Sequence, residues 1–139
     1  MRLWHKDLID VLPDQQLRGQ WRECCLIARQ IRVLGRPNHI LVNQIMNYPN
    51  EHFIAYSRAV YYEMRHRGYS CDFKKFMQWF PDQEIVEPDL EQIFPNWHTP
   101  SYADICYYNL LEKYRCGAIP DQEWVIFANK YVECFIDEI

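Results

Sequence analysis

Residues 14–35, DQQLRGQWRECCLIARQIRVLG, decide the fold class. Leu17, Trp21, Cys24, Ala28 and Ile31 recur there at spacings of three and four, the period of one buried face on an α-helix. Pro13 stands before the run and Gly35 follows it, the punctuation that opens and closes helices. Gly19 falls inside the run and weakens it by about 1 kcal/mol relative to Ala.

The same pattern extends outward. A shorter helix is predicted near His39–Met46, closed by Asn47-Tyr48-Pro49. The next runs from Asn50 as N-cap to about Arg67, with Phe53, Val60 and Met64 inside and Gly68 as the stop. Thr99 and Pro100 read as N-cap and first residue of a helix reaching about Cys116 and stopped by Gly117. Pro120-Asp121 opens the last, with Trp124, Ala128, Tyr131 and Phe135 along one face. Residues 79–100 hold four prolines and no glycine, the composition of short turns and an irregular crossing segment. "PDQ" recurs at Pro13, Pro81 and Pro120 without a common period, so it marks helix starts and not a repeat. No run alternates like a strand. The expectation is an all-α, compact helical bundle, one domain over residues 1–139, with an irregular proline-rich crossing segment.

Composition agrees. The 139 residues are 49% hydrophobic and 16% aromatic, enough for an independent core. No stretch approaches the ~20 apolar residues of a membrane span. Asp7 and Asp10 interrupt any apolar leader, which argues against a signal peptide and for the cytoplasm. Six cysteines include no C-x-x-C pair, the pattern of buried thiols in a reducing compartment. A redox or metal site at Cys24-Cys25 is the functional alternative. The expectation is that there is no metal site.

The chain opens MRLWHKDLID, residues 1–10. Chain ends usually fray in water, yet Leu3, Trp4, Leu8 and Ile9 can pin this one to a core. Charge is also uneven. Residues 1–69 carry ten Lys and Arg against six Asp and Glu, residues 70–139 five against thirteen, for a net charge of −4. A basic half in an acidic protein can serve an anionic partner.

On the first long helix Arg18, Arg22, Arg29 and Arg32 fall within about 80° of one another, and Arg36 extends the line past the cap. Guanidinium groups at one-turn spacing suit a phosphate backbone; a merely solvated face is the alternative. Glu23 lies about 100° around from Arg22 at the edge of the apolar face. Shielding by Ile27 and Leu34 would make it a proton exchanger; a surface salt bridge is the simpler reading.

"LPDQQLRGQWRE", residues 12–23, resembles the pyrimidine-dimer DNA glycosylases typified by phage endonuclease V, in which a Leu-x-Asp-Gln-x-Leu run leads to an aromatic-Arg-Glu triplet. "YYEMRHRGYSCDF", residues 61–73, is similar to the family's arginine-containing helix end, and "MRLWH" to its bacterial branch. The resemblance implies a repair glycosylase with abasic-site lyase activity on double-stranded damaged DNA, without a cofactor. The N-terminal α-amine would be the nucleophile, forming an imine at the sugar and breaking the strand by β-elimination. Arg at position 2 is too bulky for removal of the initiator, which leaves that amine on Met1. α-Amines as a class titrate more than 2 units below lysine side chains and are the better nucleophiles at neutral pH. Glu23 would be the catalytic carboxylate. Arg2, His5, Arg18, Arg22, Arg29, Arg32 and Arg36 would contact DNA. Gln16 and Leu26 depart from the phage pattern, which has His and Arg there. A non-catalytic nucleic-acid or protein interaction module on the same scaffold is the second hypothesis.

Overall fold

The computed structural model describes residues 1–136. The α-helices are α1 (Asp14–Leu34), α2 (Asn50–His66), α3 (Phe73–Met77), α4 (Pro100–Arg115) and α5 (Asp121–Tyr131). No strand occurs among the described residues: the chain is all-α. None of these helices is long and apolar enough to cross a membrane. α1 packs on α2 and α4 on α5, while a 3-10 turn at Lys6–Val11 lies against both α2 and α5. The buried residues form one continuous core cluster.

Helix ends follow the glycines and prolines. Gly35, Gly68 and Gly117 all adopt left-handed φ values, 81°, 89° and 83°, a conformation that costs residues with a Cβ. Beyond two of them the chain closes a six-to-one bond, Tyr69 N–H to Met64 C=O and Ala118 N–H to Lys113 C=O, both 2.9 Å. Thr99 Oγ1 accepts from the Tyr102 amide at 3.2 Å, with Pro100 in the first turn. α1 has no local side-chain cap. Its first amide, Asp14 N–H, donates instead to Glu123 of α5 at 2.5 Å.

Two local expectations need correction, and two elements were not foreseen. Asn50 is the first residue of α2 and not its cap; Pro49 precedes it without a side-chain bond. Residues 39–46 form no α-helix, only a 3-10 turn at Asn43–Asn47. The reason is local competition: the Asn43 amide, oriented to satisfy both, donates to the carbonyls of Pro37 (2.9 Å) and His39 (3.0 Å). α3 and the Lys6–Val11 turn were unforeseen, although Asp72 caps α3 through the amides of Lys74 and Lys75. Beyond α5 the chain continues as a π-helical turn, Val132–Ile136, which brings Phe135 edge-on to His5 at 5.1 Å.

The crossing segment is irregular as expected, with one 3-10 turn at Leu90–Gln92. Phe94 is buried at φ 50°, a strained conformation for a bulky residue. It is held by its aromatic neighbours Tyr48, Trp97 and His98 and by a 3.1 Å bond from its amide to His52 Nδ1.

Candidate active site at the chain start

The first five residues lead without regular structure into the Lys6–Val11 turn, and their backbone is tied down at several points. Trp4 N–H donates to Gln20 Oε1 at 2.8 Å, and Gln20 Nε2 returns a bond to the Arg2 carbonyl at 3.0 Å. Tyr102 Oη donates to the Leu3 carbonyl and Tyr56 Oη to the Trp4 carbonyl, both at 2.6 Å. Lys6 N–H donates to His98 Nδ1 at 2.9 Å. Leu3 is fully buried between these bonds. A chain end held this way has lost the freedom that termini usually keep.

The result is a fixed meeting of the N-terminus with α1. Arg2 N–H points to Glu23 Oε2 at 3.5 Å, and Gln20 Nε2 to the same oxygen at 3.4 Å. The Met1 amine is one residue further along, on a half-buried residue packed against the core. Among the described ion pairs none includes that amine. The Arg2 guanidinium lies 5.9 Å from the ring centres of both Trp4 and Tyr102, within cation–π range.

Beside this meeting point is an open cleft of about 370 Å³, lined by Trp4, Gly19, Gln20, Arg22, Glu23 and Lys113 among others. A carboxylate, two cations, an indole and several amides face one space, a composition suited to a charged, partly planar ligand. A larger hollow of about 420 Å³ lies elsewhere. Its charges are already spent on one another, Lys6 with Asp7 at 3.2 Å and Lys130 with Asp10 at 2.8 Å.

Gly19 forms part of the cleft wall. A Cβ there would meet only the end of the Arg22 side chain, at 3.7 Å, an ordinary contact. Nothing in the packing of α1 requires glycine at this point. Gly19→Ala is therefore expected to raise stability by up to about 1 kcal/mol, read as a melting temperature a few degrees higher. If the cleft takes substrate, the added methyl also lowers turnover. A variant both more stable and fully active would remove the Gly19 wall from the substrate's path.

The arginines fall into two groups. Arg18, Arg22, Arg29, Arg32 and Arg36 are all exposed along and just beyond one face of α1. Arg18 is partly engaged, 3.6 Å from Asp14 and over the Tyr69 ring. Arg2 is half-buried beside Trp4 and Tyr102. His5 is 1% exposed and does not share the surface with these arginines. Leu34 is exposed and does not shield Glu23, whereas Ile27 is buried.

His5 and His98 instead brace the N-terminal segment from beneath, with ring centres 5.3 Å apart. Each Nδ1 accepts an amide proton, His5 from Asp7 (3.1 Å) and His98 from Lys6, so each neutral ring carries its proton on Nε2. Burial lowers the His5 pKa to about 4; Lys6 acts in the same direction, and Asp7 opposes it. Burial also pushes His98 well below the ordinary value, helped by His5 and Lys6. Protonation would put a hydrogen on Nδ1 against an amide N–H. The unfolded chain binds these protons first, near pH 6.5. Stability is thus complete above that pH and is lost as pH falls from 6.5 through about 4, with His5 alone contributing on the order of 3 kcal/mol. Melting temperatures between pH 8 and 4 check this, and His98→Asn, which keeps an acceptor for Lys6 N–H, should reduce the fall.

Sequence reasoning missed Gln20, Tyr56, His98, Tyr102 and Lys113. Gln20 alone left a signal: it is polar yet sits at helical spacing from Leu17 and Cys24 on the apolar stripe. The cysteine alternative finds no support in geometry. Cys24 is fully buried in the core, where its pKa rises, and Cys25 is half-buried, its thiol pushed up to about 11 mainly by burial. Both shifts run opposite to those of reactive thiols. No group of three His, Cys, Asp or Glu suited to a metal occurs among the described residues.

A protein-family model described as pyrimidine dimer DNA glycosylase matches residues 1–77. No curated protein and no solved structure matches the chain. The matched span holds the whole N-terminal segment, α1 and α2; Lys113, Tyr102 and His98 come from outside it.

Proposed function

Because the chain belongs to the pyrimidine dimer DNA glycosylase family, we propose that it cuts damaged duplex DNA as a glycosylase and abasic-site lyase, with the Met1 amine as nucleophile. The observation that carries this reading is the pinned chain start, with Arg2 N–H directed at Glu23 Oε2 and the cleft alongside. The amine attacks C1′ of the damaged nucleotide and the base leaves. Opening of the sugar ring then gives an imine between Met1 and C1′. Loss of a C2′ proton expels the 3′ phosphate, and water releases the enzyme. Glu23 stabilises the positive charge developing at the sugar and relays protons between amine, ring oxygen and C2′.

The remaining groups hold substrate. Arg22 and Lys113 flank Glu23 in the cleft, where each can accept a phosphate. Arg18, Arg29, Arg32 and Arg36 continue the line along α1 and past its end. Arg2, fixed over Trp4 and Tyr102, acts on the sugar-phosphate next to the nucleophile. A damaged nucleotide must leave the stack to reach the amine. Burial of Leu3 and the bonds to residues 2–6 hold the amine still while it does so.

Borohydride trapping on a duplex with one abasic site tests the reading directly. The native, untagged chain should give a covalent adduct that maps to Met1, and an N-terminally acetylated sample should give none. An adduct that survives acetylation would move the nucleophile elsewhere. The absence of an adduct with the native chain would favour a DNA-binding module without lyase chemistry.

A further inference from the structure

Residues 24–50 contain no Asp or Glu, and they carry Arg29, Arg32 and Arg36, in a chain of net charge −4. The same stretch exposes Val33, Leu34, Ile40, Leu41 and Met46, with Ile40 82% exposed. Single exposed hydrophobics need no explanation. Five of them within fourteen residues do, in a stretch free of acids whose arginines make no ion pair among the described residues.

The loop that presents Ile40 is firmly built. Gly35 turns the chain out of α1, its N–H bonded to the Ile31 carbonyl at 2.9 Å. Gln30 Oε1 accepts from Asn38 N–H at 3.0 Å, and His39 Nδ1 from Leu41 N–H at 3.2 Å. The Asn43 amide spans the carbonyls of Pro37 and His39. Pro37 and Val42 are buried beneath. The fold thus holds an isoleucine out in water on a braced tip.

Its position matters. Gln30, which fixes the loop, follows Glu23 by two helical turns on the same edge of α1, about 10 Å along the axis. A strand lying on the arginine face with its damaged nucleotide at Glu23 would reach the loop about three base steps away, at 3.4 Å per step.

We propose that the 35–42 loop is a wedge for duplex DNA. Ile40, backed by Leu41, enters the minor groove about three steps from the lesion. Arg32 and Arg36 hold the phosphates on either side. Apolar wedges of this kind unstack a base step and kink the duplex, and a kink there eases extrusion of the nucleotide at the cleft. The inference rests on the functional reading above, since it takes the substrate to be a duplex centred on Glu23. DNA is favoured over an anionic lipid surface because exposed arginines lead from Arg22 at the cleft through Arg29 and Arg32 to Arg36 at the loop.

The test compares the full-length native chain with Ile40→Ser on an abasic duplex. The duplex carries a fluorophore pair at its ends and 2-aminopurine three steps from the lesion. The native protein should shorten the end-to-end distance and brighten the 2-aminopurine. Ile40→Ser should melt at the native temperature, lose both signals and bind about tenfold more weakly with an unchanged salt slope. The ratio of duplex to single-strand cleavage should fall by a similar factor. Bending and unstacking by Ile40→Ser at the native level would overturn the wedge. So would a defect confined to binding of phosphatidylserine vesicles, which would make the surface a membrane contact. A native chain that bends the duplex without cutting it would support the wedge and sink the lyase reading. A chain that does neither would sink both.

Discussion

Glu23→Gln should bind damaged duplex as the native chain does and cut it about 10²–10⁴ times more slowly. The substitution is nearly isosteric. A glutamine oxygen can still accept from Arg2 N–H and from Gln20 Nε2, which reach Glu23 Oε2 at 3.5 and 3.4 Å. The pinned chain start is thereby kept, and the melting temperature should stay within a degree or two. What disappears is the negative charge and the proton relay that the proposed mechanism places beside the sugar. In the proposed mechanism binding comes mainly from the exposed arginines, which the change leaves alone. Cleavage within tenfold of native would remove Glu23 from the chemistry.

Gln20→Ala should have the largest effect on stability. Gln20 is 1% exposed and uses both ends of its amide twice: Trp4 N–H and Tyr56 Oη on one side, the Arg2 carbonyl and Glu23 on the other. Truncation leaves Trp4 N–H and the Arg2 carbonyl without these partners, at about 1–3 kcal/mol for each, while Tyr56 Oη keeps the Trp4 carbonyl. A total loss of about 2–4 kcal/mol follows, in the range of broken buried networks. Activity should fall further than stability. At a temperature where the variant is still folded, borohydride trapping per folded molecule should drop at least tenfold, because the amine is no longer held. A variant that is less stable but traps normally would make Gln20 a core residue without a positioning role.

The parts of the fold that sequence disclosed are those governed by neighbours in the chain. α1 was legible because Leu17, Trp21, Cys24 and Ala28 keep helical spacing and Gly35 ends the run. Thr99-Pro100 was legible because capping is a three-residue matter. Residues 39–46 were misjudged because side-chain amides of Asn43 and Gln30 outcompete the helix there. Glu23 and the arginine line were placed by periodicity and given meaning by resemblance. The rest of the site was hidden for a physical reason: its bonds join residues far apart. Lys6 meets His98, Leu3 meets Tyr102, and Asp14 is capped by Glu123. His5 was named from resemblance, and nothing in its own segment foretells the cover that His98, Tyr102 and Phe135 supply.

Those long spans also fix an order of events. The N-terminal segment is made before its clamp: the bonds that seat the Leu3 carbonyl and the Lys6 amide come from residues 99 and 92 positions later. A ribosome-borne chain that has emerged only through α2 already displays the amine, Glu23 and the arginine face. It still lacks the clamp that would aim one at the other. Closing such loops is slow compared with forming the helices themselves. The segment that meets Glu23 is thus made well before the residues that set it in place.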